Sequence, residues 1–203
     1  ELALLGVHLA VVLGFGRLYV DWSYLGDLAA LTVAAHLLAC VTRRRHLPIP
    51  LTVLVALGGG ALTATWLLFP DTTRFGLPTG ETVELAREAL SQARIRFQEV
   101  AAPAPVLPGF QLASGLALWW AVWFGDWAAF RLRATIEAVA PATVLFVFGA
   151  LLGSGDHQLL ASATFTAALV AFVAAHRALR AQLDQHWLAP SPATGPRAVL
   201  RAG

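Results

Sequence analysis

Long apolar runs separated by short polar stretches are the feature that most limits what this chain can fold into. A membrane-spanning helix needs about 20 predominantly apolar residues, because it rises ~1.5 Å per residue through a hydrocarbon core ~30 Å thick. The pattern therefore predicts an all-α fold, a polytopic transmembrane helix bundle. Its six predicted spans cover residues 2–20, 26–42, 48–69, 109–129, 134–153 and 158–180.

The composition agrees with a lipid environment. Of the 203 residues, 58% are hydrophobic and 13% are charged, whereas a soluble domain usually carries about 25% charged residues. The basic residues are scattered among the predicted loops, so a nucleic-acid interface is not indicated. A single cysteine excludes an internal disulfide and a multi-cysteine metal site. The chain also lacks the phosphate-binding loop, the zinc-protease motif and the nucleophile elbow of soluble enzymes.

The arginines predict the orientation of the bundle. If the spans alternate in direction, three arginine clusters fall on one face of the membrane, and the positive-inside rule makes that face cytoplasmic. Both termini of the sequence are then cytoplasmic. All 14 basic residues are arginine and none is lysine. This bias suggests a GC-rich bacterial genome and hence a bacterial plasma membrane. Arg17 is expected to extend its side chain to the outer interface. The clusters are Arg43 to Arg45, Arg131 with Arg133, and Arg177 with Arg180.

The longest polar connection, residues 70–108, has a helical pattern of its own. Apolar residues recur at alternating spacings of three and four, which predicts an amphipathic helix over about 80–100 on the outer surface, with Thr79 as its N-cap. Two interpretations are open: the helix packs on the bundle, or it forms a docking surface through Val83, Leu90 and Phe97. The apolar stripe consists of Val83, Ala86, Leu90, Ala93, Phe97 and Val100.

Two histidines are the candidate cofactor ligands. His8 and His36 are predicted to lie at similar depth in the first two spans, and Cys40 shares a helix face with His36. A converging pair could bind haem or a metal ion. The alternative is a hydrogen bond between neighbouring helices, the more usual role of a membrane histidine. No fourth ligand is evident, so we assign no metal site and no cofactor.

The carboxylates suggest a second kind of site. Asp126 and Glu137 are the acids nearest to hydrocarbon, and we expect Asp126 to pair with a neighbouring arginine such as Arg131. The tetrad Gly153–Asp156 has the G-x-G-D pattern of intramembrane aspartyl proteases. Such chemistry needs two adjacent carboxylates. The predicted topology puts Asp126 and Asp156 at opposite ends of a span, so we assign no catalytic residue.

Two further patterns indicate helix packing. Trp119, Trp123 and Trp127 recur every four residues and are typical of packing and an interfacial aromatic belt, although a quinone or lipid groove is an alternative. The run Gly58 to Gly60 permits close approach of a neighbouring helix.

Several strings carry a resemblance to a known family. They are Phe75-Gly76-Leu77-Pro78-Thr79, Ala102-Pro103-Ala104-Pro105, Pro108-Gly109-Phe110 and Asp126-Trp127-Ala128-Ala129-Phe130-Arg131. With the order of predicted elements, the chain resembles the N-terminal membrane domain of bacterial transglutaminase-like membrane proteins of the TgpA type. The resemblance implies a further extracytoplasmic domain with a Cys-His-Asp triad, and no position here matches that triad. It also implies that residues 1–187 form the membrane domain and that 188–203 form a cytoplasmic loop or tail at a truncation point.

These observations predict a non-catalytic membrane-anchoring and interaction domain of a larger bacterial cell-envelope transglutaminase-like protein. Its expected partners are the lipid bilayer, other cell-envelope membrane proteins or a covalently linked outer domain. A small transporter or channel using Asp126 or Glu137 is the first alternative. A haem or metal protein using His8 and His36 is the second.

Overall fold

The fold is almost entirely helical. The structure, a computed structural model, describes residues 1–188. A short antiparallel hairpin pairs β1 (Thr73–Arg74) with β2 (Leu77–Pro78). The helices are α1 (Leu2–Gly14), α2 (Tyr24–Arg44), α3 (Ile49–Leu68), α4 (Gly80–Phe97), α5 (Pro108–Asp126), α6 (Thr135–Leu152) and α7 (Gln158–Leu188), with 3₁₀ turns at Phe15–Arg17 and Pro70–Thr72 and a π-helical turn at Trp127–Arg131.

The predicted all-α class is confirmed, and the chain has the helices of a membrane protein. Four helices are long and apolar enough to cross a bilayer: α2, α3, α6 and the segment Gln158–Leu179 of α7. The first predicted segment is shorter, an apolar helix over Leu2–Arg17. The fourth, α5, spans 19 residues but includes the polar Gln111 and Asp126.

Six of the helices run from one end of the bundle to the other, and successive ones alternate in direction. At one end, Arg43 pairs with Asp126, and Thr135 hydrogen-bonds His176 at 3.1 Å. We call this the arginine end. At the other, the hairpin end, the backbone N–H of Val20 donates to Ala104 O. Helix α4 is the exception, because it packs on α5 and on β2 at the hairpin end.

The first helix is central because it is apolar on nearly all sides. Helix α1 packs against α2, α5, α6 and α7. Its buried residues include Leu4, Val7, Val11 and Val12, which are at most 1% exposed. A helix that is hydrophobic all round belongs inside a bundle. Helix α1, with 13 residues, is accordingly surrounded by longer helices.

A second packed region joins α2, α3 and α5 around Trp119. The indole N–H of Trp119 donates to the carbonyl oxygen of Ala56 at 3.0 Å. A Cβ added to Gly60 would lie 3.0 Å from that indole, so the glycine leaves room for the ring. Gly59 and Gly60 of the Gly58 to Gly60 run therefore serve close packing, as predicted, whereas Gly58 faces open space.

Helix α4 occupies most of the predicted 80–100 segment and ends at Phe97. The predicted N-cap is confirmed, because Thr79 Oγ1 accepts a hydrogen bond from the Thr82 backbone N–H. Small residues of α4 meet the start of α5: a Cβ added to Gly109 would lie 2.0 Å from Ala89 O.

The predicted loop or tail at 188–203 lies outside the described residues, apart from Leu188, which ends α7. The side chain of Arg180 is also outside the described part. Predicted helix ends differ from the observed ones by a few residues where turns intervene. The chain leaves α-helical geometry at Phe15 and, in α5, enters a π-helical turn at Trp127.

We expect Gly109→Ala to displace α4, because the new methyl group would overlap the α4 backbone at Ala89. Overpacking of this kind costs about 1–3 kcal/mol, so α4 should open roughly tenfold more often. Trypsin cleavage at Arg87 and Arg94 in purified protein measures this. Gly58→Ala is the control, since a Cβ there meets nothing within 4 Å. Equal cleavage rates in both variants would contradict the α4–α5 packing described above.

Candidate functional site

A small crevice at the arginine end brings together several of the polar side chains that the sequence singled out. It lies between α1, α2 and the end of α5, and its volume is about 110 Å³. Its polar lining consists of Glu1, His36, Cys40, Arg43 and Asp126. We call this group the arginine-end crevice. Leu5, Val33 and Leu37 form its apolar wall, with Phe130 beside them.

Arg43 is the centre of the crevice. Its Nε and Nη2 atoms donate to the two carboxylate oxygens of Asp126, both at 3.3 Å. Its Nη2 also donates to Glu1 Oε1 at 2.6 Å. The guanidinium lies 4.1 Å from the centroid of the Phe130 ring, within the range of a cation–π contact. One arginine therefore connects α1, α2 and α5.

Glu1 neutralises the part of Arg43 that Asp126 leaves free. The hydrogen bond from Arg43 lowers the pKa of the Glu1 carboxyl to about 2, against the opposing effect of partial burial. The thiol of Cys40 donates to Glu1 Oε2 at 3.5 Å. Arg44 reaches the same oxygen at 3.2 Å, but its side chain is 69% exposed. The carboxylate thus remains ionised at neutral pH and holds the mouth of the crevice.

The two predicted histidines converge. His36 Nε2 lies 3.2 Å from His8 Nδ1, and the ring centroids are 5.0 Å apart in an edge-on arrangement. His8 is fully buried against α5, where a Cβ on Gly125 would lie 3.4 Å from the imidazole. The pair therefore joins α1 to α2, one step inward from the crevice.

The hydrogen bonds of His8 fix its tautomer. Its Nδ1 is 2.9 Å from Leu4 O, and a carbonyl oxygen can only accept, so Nδ1 carries a proton. His36 Nε2 then accepts a share of that same proton. Within the described residues, His8 Nε2 is buried without a hydrogen bond of good geometry.

This geometry does not fit a bis-histidine haem. Two imidazole nitrogens on opposite sides of a metal lie about 4 Å apart, since each metal–nitrogen bond is about 2 Å. Here the rings contact each other directly, with no room for a porphyrin between them. Among residues 1–188, no group of three or more His, Cys, Asp and Glu side chains is arranged to hold a metal ion. The histidine pair is instead a hydrogen bond between helices.

The remaining predicted polar residues lie elsewhere. Arg131 Nη2 donates to Leu47 O at 3.4 Å and to Thr52 Oγ1 at 3.5 Å, so it ties α5 to the start of α3. The arginine partner of Asp126 is Arg43 rather than Arg131, because α2 and α5 pack side by side. Glu137, in the first turn of α6, is exposed.

The G-x-G-D tetrad is at the opposite end from Asp126. Asp156 is exposed and follows α6, whose 18 residues extend ~27 Å from the arginine end. The two carboxylates are therefore not paired, which is the arrangement predicted from the sequence.

The predicted interaction surface is exposed at the hairpin end. Val83 is 63% exposed, Leu90 36% and Phe97 55%. The Phe97 ring stacks on Phe148 of α6, with centroids 6.4 Å apart. This apolar flank of α4 lies beside the buried stripe that carries Ala93.

Sequence reasoning missed the roles of Arg43 and Glu1. Arg43 was interpreted only as one of the arginines that set orientation. A signal was present, because His36, Cys40 and Arg43 are spaced by four and three residues and so share a face of α2. The partner carboxylates come from distant parts of the chain, and no spacing indicates them.

The paired charges of the arginine-end crevice hold helices together. Its cation is matched by carboxylates, and its volume suits only a few water molecules. Comparison of the chain with protein-family models, curated proteins and solved structures finds no match. The transglutaminase-like resemblance therefore stays a prediction.

We expect Arg43→Gln to destabilise the bundle by about 3 kcal/mol, because it leaves the buried Asp126 carboxylate unpaired. Arg44→Gln is the matched control, and its exposed ion pair should be worth less than about 1 kcal/mol. Unfolding in detergent, followed by tryptophan fluorescence, measures both. Adding Asp126→Asn should recover part of the loss. Equal effects of the two single variants would show that the Arg43 bridge does not hold the helices.

Proposed function

We propose that this chain is a multi-pass membrane-anchoring and interaction domain in which the six helices of the bundle, α1, α2, α3, α5, α6 and α7, all cross the bilayer. The observation that supports this best is the alternation of these helices between two ends, with apolar side chains exposed along their middles. Leu57 on α3, Val144 on α6 and Val170 on α7 are each more than half exposed, at 52%, 66% and 61%. In water such a surface would be unfavourable, whereas lipid accepts it.

The distribution of charge supports cytoplasmic placement of the arginine end. Six arginines with described side chains accompany three acids there, a formal charge of +3. The hairpin end has five arginines and eight acids, a formal charge of −3. The positive-inside rule assigns the first end to the cytoplasm. The arginine-end charges are Arg43, Arg44, Arg45, Arg131, Arg133 and Arg177, with Glu1, Asp126 and Glu137.

Helix α4 fits an outer interfacial helix. Its apolar flank meets α6 at Phe148, four residues before that helix ends, so the flank lies at the depth of the bilayer boundary. Phe75, at the hairpin tip, is 95% exposed, and the nearby Trp66 is 55% exposed. Aromatic and apolar side chains at this level anchor a protein to the interface. Val83, Leu90 and Phe97 then face lipid or an adjoining outer domain.

Anchoring is better supported than transport. A conducting path must cross ~30 Å of hydrocarbon, whereas the arginine-end crevice is only about 110 Å³ and is lined by the Glu1–Arg43–Asp126 bridge. Glu137 is exposed on a different helix. The polar residues of the interior join helices to one another, as an anchor requires.

The larger protein is proposed to be a cell-envelope transglutaminase-like protein. This part of the proposal is supported by the sequence strings alone. Reading the coding sequence beyond Gly203 tests it directly. A further membrane span followed by an outer domain with a Cys-His-Asp triad is expected. A continuation without such a domain would remove the transglutaminase parent and leave the membrane domain as described.

The topology predicts which residues a membrane-impermeant thiol reagent reaches in intact cells. In a Cys40→Ser background, single cysteines at Phe75 and Gly155 should react before lysis. Cysteines at Arg45 and Arg177 should react only after lysis. The cysteine-free protein is the control. Labelling of Arg45 and Arg177 positions from opposite sides would overturn the six-span arrangement.

A further inference from the structure

Arg17 differs from the other arginines because it is buried and lacks a counterion. The residue is 4% exposed. Its Nε donates to Ser154 O at 2.8 Å. Within residues 1–188, no carboxylate forms an ion pair with it, and its Nη1 and Nη2 groups have no acceptor. Asp156 lies only two residues beyond Ser154 and still does not pair with it.

The guanidinium has no counterion in the described chain, and its Nη groups are not among the fully buried atoms without a partner, so they remain accessible at the surface of the bundle. The backbone also holds this group in place, since the Ser154 N–H donates to Arg17 O at 2.8 Å. Two hydrogen bonds thus fix Arg17 against the 153–157 loop while leaving the fork of Nη donors free. Such a fork matches the oxygens of a phosphate or carboxylate group.

The surrounding backbone favours an anion as well. The 153–157 loop leads directly into α7 at Gln158, and the first N–H groups of a helix have no acceptors within it. The start of a long helix also carries partial positive charge. Trp22 connects the Phe15–Arg17 turn with the 153–157 loop. Its ring lies against Gly16 and makes an edge contact with the His157 ring, with centroids 6.3 Å apart.

The position of the loop identifies the source of the anion. Next to it, the last residues of α6 and the first residues of α7 present large apolar side chains outward. These are Leu151, Leu152, Leu159 and Leu160, which are 78%, 44%, 86% and 67% exposed. An amphiphile that placed its anionic group on Arg17 would lay its chains along these residues.

We propose that Arg17 and the start of α7 form a binding site for the phosphate group of a phospholipid in the leaflet at the hairpin end. The proposal rests on the proposed function, because it requires that the helices lie in a bilayer. The recognised chemistry is a phosphate oxyanion, held by the guanidinium fork and by backbone N–H groups. Free inorganic phosphate shares that chemistry and serves as the competing ligand. Asp156 is the one acidic side chain of the 153–157 loop, and it is exposed and forms no ion pair with Arg17.

The test uses the full chain, purified in detergent and stripped of lipid. Native mass spectrometry compares binding of phosphatidylglycerol with that of a glycolipid of the same acyl chains but no phosphate. The wild type should prefer phosphatidylglycerol, and Arg17→Gln should weaken that binding about tenfold, the size of effect expected for a charge-assisted contact. Arg74→Gln, at an exposed arginine of the same end, should leave it unchanged.

A second pair of variants covers the case in which Arg17→Gln fails to fold. A Cβ on Gly155 meets nothing within 4 Å, so both Gly155→Glu and Gly155→Gln should fold. The carboxylate of Gly155→Glu should weaken phosphatidylglycerol binding severalfold by charge repulsion, whereas the isosteric amide of Gly155→Gln should leave it unchanged. Inorganic phosphate should compete with phosphatidylglycerol in the wild type.

Equal binding of phosphatidylglycerol by wild type, Arg17→Gln and Gly155→Glu would overturn the site. Equal binding of the glycolipid would overturn phosphate recognition. Binding of inorganic phosphate without a preference for phosphatidylglycerol would overturn the lipid source. Alkaline carbonate extraction tests the proposed function separately, because release of the protein from membranes would contradict spanning helices whatever Arg17 binds.

Discussion

The structure depends on one constraint: inside an apolar bundle, a polar side chain must find its partner within the protein. Buried threonines such as Thr32 and Thr65 donate to carbonyls of their own helix, whereas other polar groups find partners on neighbouring helices. Arg43 of α2 forms an ion pair with Asp126 of α5, and the indole N–H of Trp119 in α5 donates to a backbone carbonyl of α3. Within residues 1–188, His8 Nε2 and Trp123 Nε1 are the buried side-chain atoms left without one. Because the bonds between helices join particular side chains, these polar residues help to determine which helices are neighbours.

The two ends of the bundle use arginine in opposite ways. At the arginine end, Arg43 is matched by Asp126 and Glu1, so the end is closed by an internal bridge. At the hairpin end, Arg17 is buried with a backbone acceptor and no counterion. A neutralised cation stabilises helix packing, whereas the Nη groups of Arg17 are left free for the proposed anion from outside the chain. This difference connects the proposed anchoring function with the proposed lipid site.

The candidate site was predictable only where its residues share a helix or a depth. His8 and His36 were singled out because both lie at similar depth in adjacent helices, and they do meet. Asp126 was expected to pair with an arginine, and it does, but the partner is Arg43 because α2 packs against α5. Arg17 was expected to extend to the outer interface, which stays a prediction, but its hydrogen bond to the 153–157 loop could not be predicted. Each difference arises from the packing of segments that are distant in sequence.

The sequence by itself determined the all-α class, the positions of the helices and the cap at Thr79. These follow from local hydrophobic runs, turn residues and side-chain propensities, which act over a few residues. Only the tertiary structure decided that α1 is central, that Arg43 bridges three helices and that Arg17 has no counterion. Those features depend on distances between residues up to 137 positions apart, such as Arg17 and Ser154. Hydrophobic patterning specifies that a face is buried, but it carries no information about which polar group will lie opposite.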